Sequence, residues 1–148
     1  MVHSVWKPDE KIRTRRDIFY AYCKAVKNSS RQSNHIRSLL SDYCVRLAKG
    51  CRLTQTSQRD RALKVRNWQP MQKLLLQDFF NQFMEAEACR KKLKASMAAE
   101  VLEDPELLKL IPLMGMREVV AFGAGAIIGE ISCFANPKEA SGLHWHNA

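Results

Sequence analysis

Between Pro8 and Gly50 the chain runs for 41 residues without a proline or a glycine. A run of that length, with no residue that breaks a helix or frees the backbone, favours one long helix if its apolar residues repeat with helical spacing. They do. Ile12, Phe19, Val26, Ser33, Leu40 and Leu47 fall seven apart, and Tyr22, Ser29, Ile36 and Tyr43 form a second row. The two rows make an a/d-type seam. Its centre is polar, because Ser29, Ser30 and Ser33 contribute no apolar burial. The spacing predicts a helix over roughly 9–48, with Asn28–Asn34 the place for any fray or break. Pro8, Asp9 and Glu10 suit its start, and Gly50 suits its C-cap.

Residues 50–58 are small and polar, which predicts a loop. Arg59 to Trp68 is expected to form a short helix that Pro70 ends or kinks. A second apolar-periodic stretch then runs from Met71 to about Leu102, with Leu76, Phe79, Phe83, Ala86, Leu93 and Met97 on one side. Neither long helix can bury its stripe alone, so the two are expected to pair as an antiparallel, coiled-coil-like hairpin or to dimerise. After Asp104 the texture changes. Asp104 and Pro105 suit the cap and first position of a helix to Ile111. Pro112 to Arg117 is expected to break it, and Val119 to Ile131 reads as a small-residue apolar helix. The fold class is therefore all-α. The expected division is a basic helical hairpin over 1–104, a helix–hairpin–helix over 105–140 and a tail over 141–148.

Charge is placed unevenly. The chain holds 24 Lys+Arg and 15 Asp+Glu, a net +9, yet residues 1–66 alone hold 16 against 5, a net +11. Such a basic half implies a polyanion partner, with nucleic acid ahead of an anionic membrane surface. Lys7, Lys11, Arg13, Arg15 and Arg16 form the densest cluster, and Arg59, Arg61, Lys64 and Arg66 a second. Each is either a phosphate-contacting patch or a solvated helix face. Gly115 and Arg117 sit where a hairpin would offer backbone N–H groups to phosphate oxygens; a plain turn between core helices is the alternative.

Other classes are excluded by what the chain lacks. No apolar run approaches the roughly 18–20 residues needed to span a bilayer. The N-terminal residues have no apolar stretch of the signal-peptide kind. The five cysteines are odd in number and never in CxxC spacing, which argues for free thiols in a reducing cytoplasm. Gly123, Gly125 and Gly129 are spaced GxGxxxG with no preceding strand, so they are no dinucleotide fingerprint. His144-Trp145-His146 has no third ligand nearby and reads as a tail. No set of acidic residues reads as a two-metal nuclease site, and no catalytic residue is assigned.

Met114-Gly115-Met116-Arg117-Glu118-Val119-Val120-Ala121, then Ile128-Gly129-Glu130-Ile131-Ser132-Cys133-Phe134 and Asn136-Pro137-Lys138, resemble the C-terminal region of bacterial insertion-sequence transposases. The class is the IS-one-ten class with its IS-eleven-eleven branch. Upstream, Val5-Trp6-x-Pro8, Arg13, Arg16 and Asn34-His35-Ile36-x-Ser38-Leu39-Leu40 are similar to the residues that lead into that family's helical hairpin. Met114 stands where the family's hairpin proline is usual, and Arg117 where its second glycine is common. Beyond Ala140 the likeness stops, as a frameshift or truncation would leave it. The resemblance implies DNA binding in transposition and recombination, double-stranded DNA and an element-encoded guide RNA as partners, self-association, and a cytoplasmic location with no membrane. It also implies a divalent metal, Mg, held by four acidic residues, and a catalytic serine. None of these has a matching position here, so the expectation is a transposase segment that does not catalyse strand transfer by itself and carries no cofactor. The rival expectations are a stand-alone helical nucleic-acid-binding regulator and a structural coiled-coil protein.

Overall fold

A computed structural model of the chain describes residues 9–114 and 117–129. Among them the chain is helix and loop, with no strand. Five helices follow one another: α1 (Glu10–Asp42), α2 (Thr56–Lys64), α3 (Pro70–Glu103), α4 (Pro105–Met114) and α5 (Glu118–Ile128). The fold class is all-α.

α1 begins at the expected acids. The Asp9 carbonyl accepts from Arg13 N–H at 3.0 Å, which makes Asp9 the cap residue. The helix is continuous through Asn28–Asn34, so the fray or break expected there is corrected. Its end is also earlier than expected, at Asp42 rather than near 48. The reason is local. Cys44 takes the left-handed conformation, φ 59°. Its N–H bonds to Ser41 O at 2.9 Å, and Val45 N–H bonds to Leu40 O at 2.8 Å. That pair of bonds is a Schellman closure, and Val45 packs against the buried cluster to which Leu40 belongs. Gly50, φ 82°, instead serves the turn closed by Cys51 N–H to Ala48 O. A Cβ in the left-handed region costs about 1–2 kcal/mol, and exposed Cys44 recovers nothing from burial. Cys44→Gly is therefore expected to raise stability by roughly 0.5–1 kcal/mol after the added freedom of the unfolded chain, read as a higher urea midpoint at unchanged slope.

Two prolines act differently from the sequence expectation. Pro70 opens α3 rather than ending a helix. It needs no N–H at that position, and Gln72 Oε1 accepts from Gln69 N–H at 3.1 Å, one half of a capping box. The preceding helix, α2, is accordingly shifted to Thr56–Lys64 from the expected Arg59–Trp68. Pro112 lies inside α4, which continues to Met114. Asp104 and Pro105 do start α4 as expected, with Asp104 Oδ1 accepting from Glu106 N–H at 3.0 Å. α5 ends at Ile128, short of Ile131, where Gly129 closes it with φ 77° and an N–H bond to Gly125 O.

The chain forms two compact units. They cut across the boundary at 104 expected from the sequence. The first comprises residues 21–94. Its core joins Ile36 and Leu40 of α1, Leu53 of the following loop, Ala62 of α2, Trp68, and Leu76, Phe80 and Phe83 of α3. Trp68 is held by its Nε1–H bond to Ala62 O at 3.1 Å. Where the α1 seam turns polar, Ser29 is buried and donates to Glu87 Oε1 at 2.5 Å, while Arg90 grips both carboxylate oxygens at 3.1 and 2.9 Å. Nearly two turns further along α1, His35 lies 6.0 Å from the Phe79 ring.

The second unit draws on Met1–Tyr20 and Ala95–Ala148. Ile12, Met97, Val101, Leu107, Ala121, Phe122 and Ala126 are buried in it. α4 packs against α5, and two glycines permit close approach. A Cβ on Gly125 would collide with Leu107 Cδ2, and one on Gly123 would stand 2.6 Å from the Phe19 ring. Gly129 has a different part, as the residue that terminates α5.

Candidate nucleic-acid interface

Grouping charge by unit instead of by sequence half changes where the positive field lies. Residues 21–94 hold 16 Lys+Arg against 5 Asp+Glu, a net +11. The rest of the chain holds 8 against 10, a net −2. The N-terminal basic cluster thus belongs to the net-negative unit.

Its members have separate occupations. Arg15 is buried, 7% exposed. Its Nε donates to Glu100 at 2.6 Å and its NH2 to Asp104 at 2.5 Å. The expectation that Arg15 faces phosphate is corrected, because two carboxylates already hold its guanidinium. Arg16 donates to Ala126 O at 2.7 Å and Ile127 O at 3.2 Å. These are carbonyls of the last turn of α5, so Arg16 caps that helix where the dipole favours a cation. Lys11 is exposed and pairs with Asp104 at 3.4 Å. Arg13 is exposed and makes no ion pair or hydrogen bond through its side chain among the described residues. Lys7 and Gly115 lie outside the described residues. Arg117 is exposed at the N-cap of α5 and forms no side-chain cap bond.

An open cleft of about 710 Å³ runs beside this cluster, lined by Lys11 and Arg15 together with Glu100, Glu103 and Asp104. Its mixed charge makes it a poor seat for a polyanion. The hydrogen bond from Arg15 holds the Asp104 carboxyl at about 2, against burial and with help from Glu106 N–H. A depressed carboxylate contributes stability above its unfolded pKa and loses it as pH falls through the folded value. Replacing Asp104 with Asn is thus expected to cost about 2 kcal/mol at pH 6. The gap between the two proteins should close as pH drops from about 4 to 2. Parallel urea titrations across that window check it, and a gap independent of pH would overturn the assignment.

The second cluster lies in the positive unit. Arg61 and Lys64 are exposed in the last turn of α2, and neither the guanidinium nor the ammonium has a hydrogen-bond or ion-pair partner among the described residues. Arg59 donates to Leu53 O at 2.7 Å and Thr56 Oγ1 at 3.1 Å. Arg66 donates to Tyr43 O at 3.0 Å, with its guanidinium 5.2 Å from the Tyr43 ring and 5.5 Å from that of Trp68. Sequence reasoning passed over Arg37, whose NH2 donates to Cys51 O at 3.1 Å. Nothing in its neighbours along the chain marks it, because its partner lies in a loop 14 residues away.

Among the described residues no three His, Cys, Asp or Glu side chains gather as metal ligands. Cys23, Cys44, Cys51 and Cys89 are free thiols. No described helix is long and apolar enough to cross a membrane. No family model, curated protein or solved structure matches the chain.

Proposed function

We propose that this chain is a nucleic-acid-binding segment of an insertion-sequence transposase and that residues 21–94 contact the phosphates of double-stranded DNA. The observation that carries the binding is the concentration of +11 in one compact unit, with exposed Arg61 and Lys64 on α2. Contacts of this kind position a protein on a duplex and release counterions; they do not read bases. The ancestry rests on the residues between Met114 and Lys138 and on the upstream motifs. Strand transfer belongs to family residues that this chain does not match, so the reading is of a binding segment without chemistry of its own. Element-encoded RNA, which offers the same phosphates, is a second polyanion for the same unit.

Fluorescence anisotropy with a short duplex tests the binding. The logarithm of affinity should fall linearly with the logarithm of salt concentration. Arg61→Ala and Lys64→Ala should each flatten that slope by about 0.9. A structural coiled coil with merely solubilising charge would show no salt-dependent binding. The ancestry has its own test. Family coding sequence adjoining the gene supports it, and an unrelated complete gene neighbourhood favours a stand-alone regulator.

A further inference from the structure

The loop between α1 and α2 is tied down by arginines from outside it. Arg37 on α1 reaches Cys51 O, Arg59 on α2 reaches Leu53 O, and Arg66 after α2 reaches Tyr43 O. The three acceptors are neutral main-chain carbonyls. Among the described residues no carboxylate lies within ion-pair distance of any of the three, in contrast to Arg15 in the other unit. A carbonyl fixes a guanidinium without neutralising it. A guanidinium carries five N–H donors. Arg37 and Arg66 each use one of them here, and Arg59 uses two.

Resting on the nucleic-acid reading above, the geometry points to a preorganised phosphodiester-binding site made of Arg37, Arg59 and Arg66 around the 43–53 loop. Three features favour it. The charges are held in place before the ligand arrives, so little side-chain entropy is lost on binding. The acceptors of Arg37 and Arg59 are two residues apart, which keeps those acceptors within roughly 7 Å of one another. The loop itself adds Arg46, Lys49 and Arg52, all exposed, and no acid. A ligand that carries several phosphate charges is what such a set suits, and a nucleic-acid backbone has that character.

The test separates charge from stapling. In the full chain, Arg37 and Arg66 are each replaced by Lys, which keeps the charge, and by Met, which keeps the apolar stem. Melting curves and helical circular dichroism establish that each variant is folded; Arg66, exposed, serves if Arg37 variants do not fold. Binding to a fluorescent 20-base-pair duplex is then measured between about 50 and 200 mM salt. The expected result is a slope that follows charge, unchanged in the Lys variants and lower by about 0.9 in each Met variant. If Arg61→Ala and Lys64→Ala flatten the slope while the Arg37 and Arg66 variants do not, the arginines are loop staples only. That outcome overturns this site and leaves the nucleic-acid reading standing. Absence of salt-dependent binding by the unsubstituted chain overturns both.

Discussion

Arg15→Ala is expected to destabilise the chain by about 3 kcal/mol. Arg15 is the buried centre of a three-residue ion pair, with its side chain 9% exposed, that of Asp104 15% and that of Glu100 32%. Truncation does more than delete two bonds. It leaves Asp104 largely shielded from water with only Lys11, 3.4 Å away and exposed, to offset its charge. Removing one partner of a buried pair typically costs about 3–5 kcal/mol, and the water that still reaches Glu100 argues for the lower end. Pairing Arg15→Met with Asp104→Asn removes the guanidinium and its more buried partner, leaves Glu100 to the water that reaches it, and keeps a side-chain oxygen to cap α4. That double variant should recover most of the loss. Chemical denaturation of the three proteins gives the comparison. A loss under 1 kcal/mol for Arg15→Ala would put the bridge with ordinary surface pairs. DNA affinity offers a second check, because a guanidinium already held by carboxylates contributes little to the salt slope.

Arg15 also marks where reading the sequence stops being sufficient. Its neighbours Arg13, Arg16 and Lys11 make it look like part of a basic patch, and periodicity does place it on α1. Its partners Glu100 and Asp104 are 85 and 89 residues away, so no local pattern announces them. Arg16 is similar, since the carbonyls it caps lie 110 and 111 residues along the chain. By contrast, the apolar rows were legible because helical spacing alone decides which side chains share a face. Ile12, Ile36 and Leu40 from the first helix and Leu76, Phe83, Ala86 and Met97 from the third are buried. Helix ends divided along the same line. Asp104 and Pro105 state their roles locally, and α4 begins there. The end of α1 does not, because the residue that turns left-handed is Cys44, while the more obvious glycine stands six residues later. Pro112 is the opposite case: a strong local breaker carried inside α4, which packs against α5.

The polar centre of the seam gives the second large effect. Glu87→Ala should cost about 2–3 kcal/mol, since it strands the buried Ser29 hydroxyl and leaves a void where the side chain packed. Both residues are 7% exposed. The Glu87 carboxyl sits below the usual range, drawn down first by the hydrogen bonds from Arg90, against burial and with help from Ser29. A charge held this way stabilises the fold only while its partners remain. Replacing both members, Ser29→Ala with Glu87→Leu, removes the buried polar requirement instead of orphaning it. An apolar pair of suitable volume is then expected to restore stability to within about 1 kcal/mol of the starting protein. The same exchange tests what the polar layer contributes beyond stability. A buried polar pair in a helix seam can specify alignment, because any other register leaves it unmet. If Ser29 and Glu87 serve that purpose, the double variant will be as stable yet less uniquely packed. The signs are broadened side-chain resonances and a lower denaturant slope. Sharp resonances and an unchanged slope would mean that the apolar contacts of Ile36, Leu40, Leu76 and Phe83 align the helices without help.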